Sequence, residues 1–552
     1  MAGTLAIQEV LERFPEEQTP LVRELLRIIR QQQDIIDQQQ RKIERLEQEI
    51  RSLKGTQEKS PPPTEPSGLN ENRPPSSRKG SKGRGKRDGK RPGSAKCSKT
   101  RDLTIHRTVP LTLTDLPEGT KFLGYENFTV QDLIIESHNT RYRRSRYRLP
   151  DGSFRTAPLP DDVVRSEHFG PTLRQYVLYQ HFHNHVTQPL LHEELLEFGV
   201  EISAGQISSL LTEGHDVFHQ EKDGLLSAAR DVSSYLQTDH TPARHRGKAG
   251  HTLHIGNDLF ASFSTIDSKS RVDFLKCLLV PHTEYVFDRA AAVYLAMFNV
   301  PQKLQEKLET ETVSARVIES DKAWEQQLDA WEITSAEQRR LVTEAALWSG
   351  LLRHELYLDT VFISDDAAAF RLLGFFHSLC WVHQERHITR LVPETTRQQR
   401  ALDQTRDDIW KYYQRLKRYQ KSPTPQARSR LEQDFDRLFR QKTGWPALNQ
   451  ALEKIHGKRD QLLLVLDRPE IPLHNNLSEN DIRQYVKKRK ISAGTRSDAG
   501  RRSRDTFLSL KTTCRKLGQS FWQYLQDRIQ NLGQIPALGD LIRLKAAQAN
   551  NG

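Results

Sequence analysis

The chain has 552 residues, 36% of them hydrophobic, and a formal net charge of +12. That length predicts two to four domains, and the positive balance favours a polyanionic partner, nucleic acid ahead of a membrane surface. Cys97, Cys277, Cys380 and Cys514 lie far apart with no Cys-x-x-Cys pair, which argues against a disulfide framework and a zinc ribbon. The N-terminus has no signal-peptide pattern, and no run approaches the ~20 apolar residues of a membrane helix. A cytoplasmic protein without a membrane partner is expected.

Residues 1–54 are read as an oligomerisation helix. Val22, Leu25, Ile29, Gln32, Ile36, Gln39, Ile43, Leu46, Ile50 and Leu53 keep a 3-4 spacing. β-branched residues at one core position and mostly Leu at the other favour a parallel two-stranded coiled coil, hence a homodimer or higher oligomer. Residues 55–101 turn Pro-rich and then basic, with eleven Lys or Arg and one acid between Arg78 and Arg101. They read as a disordered basic linker able to touch phosphates. Residues 102–165 are expected to form a small β-rich domain, with strands near 103–113 and 121–136 and a hairpin around Pro150-Asp151-Gly152.

Residues 166–230 read as helical. A short Gly turn joins Pro189–Phe198 to a Ser-capped helix from Ser203, the pattern of a helix-turn-helix. The second helix carries no Lys or Arg, so simple packing competes with groove reading. From 231 to 530 the pattern is α/β. Strands are expected at 234–240, 251–259, 260–267, 359–365 and 375–381, with helical insertions at about 300–357 and 394–462, and 531–552 as a tail.

Two acids close strand-like runs: Asp239 in Leu-Gln-Thr-Asp and Asp365 in Phe-Ile-Ser-Asp. A third, Glu479, opens a strongly basic helix. Carboxylates on rigid strand ends suit hard divalent ions, which activate an attacking oxygen and relieve charge in phosphodiester chemistry. Each acid also has a plain explanation. Aspartate commonly ends a strand in a turn, and Asn476-Leu-Ser-Glu479 fits a capping box with Asn476 as N-cap. Asp366, beside Asp365, is an alternative ligand.

These blocks resemble the bacterial DDE transposases of the insertion-sequence sixty-six family. The likeness is carried by Leu236-Gln-Thr-Asp239-His-Thr-Pro242, Ile363-Ser-Asp365-Asp-Ala-Ala-Ala-Phe370 and Leu379-Cys-Trp-Val-His383-Gln-Glu-Arg386-His387. It continues from Ile471-Pro-Leu-His-Asn475-Asn476-Leu-Ser-Glu479 to Gly494-Thr-Arg-Ser497 and Gly500. The resemblance spans roughly 170–530. It implies a ribonuclease-H-like core with Asp239, Asp365 and Glu479 as catalytic metal ligands for two Mg²⁺ or Mn²⁺ ions. The implied activity cuts DNA at an element's terminal inverted repeats and joins the freed 3′-hydroxyls to target DNA. The resemblance further implies a bacterial, nucleoid-associated setting with accessory proteins of the same element. Relatives' cysteine-rich zinc segment has no counterpart in 102–165.

From Arg483 to Lys516 there are twelve Lys or Arg and two acids, Asp498 and Asp505. Arg483, Lys487, Lys488, Arg489, Lys490, Arg496, Arg501 and Arg502 are the expected DNA-backbone contacts, although Arg483 also sits four residues from Glu479 as a possible ion-pair partner. Cys380, His383 and His387 suggest either a zinc site, with His377 as a fourth ligand, or local buttressing of the Asp365 strand. The ligand count favours buttressing, with Asn475 and Asn476 as further structural neighbours. Two rivals remain, a structure-selective nuclease on the same sheet and a non-catalytic dimeric DNA-binding regulator.

Overall fold

The computed structural model of the chain describes residues 103–113, 116–117, 119–160, 168–282, 284–298, 300–310, 315–372 and 374–550. The heptad helix and the basic linker lie outside these residues. Two compact units divide the chain, one ending at Val130 and one beginning at Gln131.

The described part of the first unit holds no helix or strand. Its alternating residues stay in water: Leu111, Leu123 and Phe128 are 85%, 97% and 91% exposed. The β-rich expectation for 102–165 is therefore met only by the hairpin. There β1 (Arg146–Arg148) pairs antiparallel with β2 (Phe154–Thr156). Asp151 accepts the Ser153 amide at 2.9 Å, and Gly152 supplies the positive φ the turn needs. The other stretches carry a strand pattern but no neighbouring strand, and a lone strand leaves its amides to solvent.

Gln131–Gly552 is built on a five-stranded mixed sheet. β3 (Tyr235–His245), β4 (Lys248–Gly256) and β5 (Ala261–Ile266) form an antiparallel meander. The β3–β4 loop is Arg246-Gly247, both with positive φ, which matches the right-handed twist of a two-residue hairpin. β8 (Val361–Ser364) and β9 (His377–Leu379) add in parallel on the other side of β3. The order is β5-β4-β3-β8-β9. β8 is buried at all four positions, as its apolar run predicts for a central parallel strand.

The helices before the sheet are α1 (Pro171–Leu178), α2 (Gln188–Glu197), α3 (Ala204–Thr212) and α4 (Asp216–Arg230). Ser203 and Gln206 form a reciprocal capping box at the start of α3. The inward face of α3, Ile207 and Leu211, is buried in the main core.

Between β5 and β8 run α5 (Arg271–Leu279), β6 (Tyr285–Phe287), α6 (Arg289–Ala296), α7 (Gln302–Thr310), β7 (Arg316–Ile318), α8 (Asp321–Ala330) and α9 (Ala336–Arg353). This segment is no loose excursion. Trp324, Trp331 and Trp348 share one core with Phe274 and Phe362, and Trp324 stacks on Tyr285 at 4.8 Å.

After β9 come α10 (Trp381–Thr389), α11 (Thr396–Lys421), α12 (Pro425–Phe439), α13 (Pro446–His456) and α14 (Arg459–Leu463), which enclose a second core around Trp381 and Phe435. Then follow α15 (Asn476–Ser492), α16 (Asp498–Leu517), α17 (Phe521–Ile529) and α18 (Leu538–Asn550).

α16 covers β5, the edge of the sheet. Along the strand, the amides of Thr265, Phe263 and Ala261 donate to Asp505 Oδ2 (2.7 Å), Ser509 Oγ (2.9 Å) and Thr513 Oγ1 (3.2 Å). Alternate strand residues thus meet every fourth helix residue. Side chains replace the missing neighbour strand, so the edge amides are not left open.

Candidate functional site

β3 and β8 pair Tyr235 with Val361, Leu236 with Phe362 and Gln237 with Ile363. Asp239 and Asp365 each lie two residues beyond the last of these pairs. Parallel neighbours are about 4.8 Å apart, so the two acids stand at matching height on adjacent strands. The expectation that Asp239 closes its strand is corrected: β3 runs on to His245, with Asp239 paired opposite His254 of β4, whereas Asp365 does follow the end of β8. Asp239 Oδ1 accepts the His240 amide at 2.7 Å, and Asp365 Oδ1 accepts the Ala367 amide at 3.0 Å. Asp365 thereby caps the turn after β8, Asp239 bonds the next amide of its own strand, and each keeps its second oxygen for other partners.

Glu479 arrives on α15, and the start of that helix is fastened to β3. Gln237 makes two bonds, donating to His474 O at 3.0 Å and accepting the Ser478 amide at 3.2 Å. Asn475 is fully buried; its amide nitrogen donates to Thr238 O at 3.0 Å. Its backbone N–H reaches Cys380 Sγ at 3.3 Å. Behind these, His254 on β4 bonds Ser478 Oγ (2.6 Å) and Asp481 (3.2 Å), and Lys516 Nζ lies 2.6 Å from Asp481. Burial keeps the His254 imidazole below its ordinary pKa. A neutral ring fits both bonds, with Nε2–H donating to Asp481 and Nδ1 accepting from Ser478.

The capping-box expectation for Glu479 fails. The N-cap is Asn475 rather than Asn476, and no side chain caps the helix. The Glu479 carboxylate instead lies 3.5 Å from Arg386 Nη2 and 3.6 Å from His383 Nε2, both on α10. Arg483, the alternative ion-pair partner, donates to Asn480 at 3.0 Å.

The electrostatics tie the three acids together. Burial first, and then the charges of Asp365 and Glu479, push Asp239 up to about 7, against the His240 amide and Lys269. His383 is held below its usual value by burial and Arg386, against the opposing pull of Glu479 and Asp365. Asp366 faces another way: it pairs with Lys458 and Arg371, which hold its carboxyl low despite partial burial. The acid convergent with Asp239 and Glu479 is thus Asp365. Three hard oxygen donors on one side of the sheet, with one carboxyl raised first by burial and then by the other two charges, fit a divalent ion such as Mg²⁺.

Around the trio, Cys380 is buried, its thiol pushed up to about 11 by burial, and it buttresses Asn475. His377 bonds Ser364 Oγ at 2.8 Å behind Asp365. His387 is exposed further along α10, and Asn476 is half-buried at the first turn of α15. Sequence reasoning gave no role to His254, Asp481 or Lys269. The signal available for Asp481 was an acid at helical spacing from a basic run, which local reading cannot tell from a solvated residue.

The basic block divides by position. Arg483, Lys487, Lys490, Arg496 and Arg502 are exposed, and Arg501 is half-exposed. Lys488 is turned inward, 4% exposed, and donates to His181 O at 2.8 Å. It is withdrawn from the DNA-facing set, because a buried ammonium spent on a carbonyl cannot release counterions from a phosphate. Arg489 is pinned to the Pro242 carbonyl of β3. Gly494 and Thr495 dock on the β3–β4 hairpin through Thr495 N to Arg244 O (3.0 Å) and Arg246 N to Thr495 O (2.8 Å). A Cβ at Gly494 would come within 2.5 Å of Arg244 O, so only glycine fits. Ser497 then caps α16 through the Gly500 amide at 3.1 Å.

Residues 348–503 match the family model described as Transposase IS66 family. The chain is also 40% identical over 328 residues to the uncharacterized protein y4jO of Sinorhizobium fredii (strain NBRC 101917 / NGR234), an alignment covering 59% of this chain and 100% of that protein. Asp365 and Glu479 fall within the family match; Asp239 precedes it.

Proposed function

Because the chain belongs to the IS66 transposase family, we propose that it is a DDE transposase that cuts DNA at the ends of its insertion sequence and joins the freed 3′-hydroxyls to target DNA. The single observation that carries this reading is the register match of Asp239, within β3, and Asp365, just past the end of the neighbouring parallel β8, with α15 fastened across β3 so that Glu479 joins them. The strand order, with only β4 running against the rest, supports a ribonuclease-H-like core. Asp239, Asp365 and Glu479 are the residues that would hold two Mg²⁺ or Mn²⁺ ions. When bound, such ions activate the attacking oxygen and neutralise charge on the leaving one.

The protein's own part is orientation and charge. Arg386 and His383 steer the Glu479 carboxylate, and the Gln237–Asn475–Ser478 bonds fix the turn that presents it. Lys269 offsets part of the crowding at Asp239. The exposed cations on α15 and beyond offer a phosphate-binding surface beside the acids, and the helical region 166–230 is a second candidate DNA contact. Residues 21–54 would pair two copies. No helix among the described residues is long and apolar enough to cross a membrane, and a cytoplasmic, nucleoid-associated protein follows from the DNA substrate.

The test uses the element's own end DNA with Mg²⁺. Asp239→Asn, Asp365→Asn and Glu479→Gln are each expected to abolish cleavage and joining while end binding persists. Substantial cleavage by any one of them would overturn the assignment. A strand-transfer assay on precut ends separates a transposase, which joins, from a nuclease, which does not.

A further inference from the structure

Among the described residues, one group of three ligand-capable side chains has donor atoms all within 4.8 Å of one another: His282, Glu284 and His354. It is built by the segment between β5 and β8, apart from the carboxylate trio. His282 and Glu284 lie in the turn between α5 and β6, and His354 ends α9. β8 begins after that helix and runs from Val361 to Ser364 before Asp365, so the cluster lies before the strand and the acid after it.

A His–Glu hydrogen bond accounts for two of the three groups, since His354 Nε2 contacts the Glu284 carboxylate. It leaves His282 unexplained. That imidazole lies flat on His354, with ring centroids 3.8 Å apart and planes 17° from parallel. Among the described residues no hydrogen bond reaches either of its ring nitrogens. Arg230 is the cation that faces it, but that guanidinium is engaged by Ser227 at 3.1 Å and lies over the Tyr357 ring.

The backbone that carries these side chains is held in place. The His282 backbone amide donates to Leu279 O at 2.7 Å, and the His354 backbone amide donates to Gly350 O at 3.2 Å. Tyr357 ties the chain after α9 to Leu278 O at 3.1 Å. A Cβ at Gly350 would meet Leu279 and Glu284 O at 3.3 and 3.6 Å, so α9 presses closely on this turn. Two imidazoles and one carboxylate on anchored backbone supply a three-ligand set for a first-row divalent metal once the His282 ring turns out of its stack on His354, with zinc bonds of about 2.0–2.2 Å to each and one position open to water.

We propose that His282, Glu284 and His354 bind one zinc ion, which clamps the end of α9 to the α5–β6 turn. The full-length protein, stripped with chelator, is titrated with Zn²⁺ and, separately, with Co²⁺ as a spectroscopic probe. The wild type is expected to take up one tight equivalent of zinc and to show cobalt d–d absorption without a thiolate charge-transfer band. His282→Ala and His354→Ala each lose that equivalent. The combined Asp239→Asn, Asp365→Asn and Glu479→Gln variant keeps it. Circular dichroism verifies that the histidine variants fold; should one not, His282→Gln and Glu284→Gln supply the same comparison. Absence of a tight equivalent in the wild type, its persistence in the histidine variants, or a thiolate band would each overturn the proposal.

Discussion

Replacing Asp239 by Asn should stabilise the metal-free protein, and the gain should depend on pH in a defined way. In the folded chain the Asp239 carboxyl is pushed from an ordinary value of 3.8 up to about 7 by burial and by Asp365 and Glu479. A raised acid binds its proton more tightly folded than unfolded, so stability is lost as pH rises from about 4 through about 7. At roughly 1.36 kcal/mol per unit, the whole loss has a ceiling of about 4 kcal/mol. Asn carries no such charge. Its advantage should be near zero at pH 4, grow between 4 and 7, and level off above. Denaturant unfolding of both proteins from pH 4 to 8, with and without Mg²⁺, measures this. Magnesium should recover much of the loss in the wild type, about 2.7 kcal/mol at a hundredfold excess over Kd, and recover less in the variant. A stability difference that is flat with pH, or an Asn variant less stable at pH 8, would refute the claim that burial beside Asp365 and Glu479 raises the Asp239 carboxyl.

Other outcomes follow from neighbouring contacts. Asp481→Ala strands Lys516 and His254 in the interior and should cost about 3–5 kcal/mol in denaturant unfolding. Cleavage would fall with it because Glu479 rides on the same helix. Lys487→Ala should lower the slope of log affinity against log salt by about 0.9, whereas Lys488→Met should leave that slope unchanged in the same binding assay. Gly494→Ala should loosen the hairpin docking and reduce cleavage more than end binding, measured on the same DNA.

Much of the sheet was legible in the residues themselves. The apolar run before Asp365 predicted a central strand, and strands were expected at 234–240, 251–259 and 260–267, although the first runs on to His245. What stayed hidden depends on partners distant in the chain. Asp365 and Asp366 follow the same strand, and it is Lys458, over ninety residues later, that separates them. Lys487 and Lys488 are adjacent in sequence, yet one helical step of about 100° sends one to water and the other to His181. Local reading of Asn476-Leu-Ser-Glu479 gave a cap, whereas Arg386 on another helix claims the carboxylate. At 103–136 the opposite happened: a strand pattern was present and a strand neighbour was not.

The Asp505, Ser509 and Thr513 rungs have a bearing on assembly. With helix side chains filling the β5 amides, no foreign backbone can zip onto that border. Strand addition along β5 is therefore closed to any second copy of the chain. A second copy would have to approach by another surface, which leaves the β5 side of the sheet, and the α16 ladder that seals it, undisturbed.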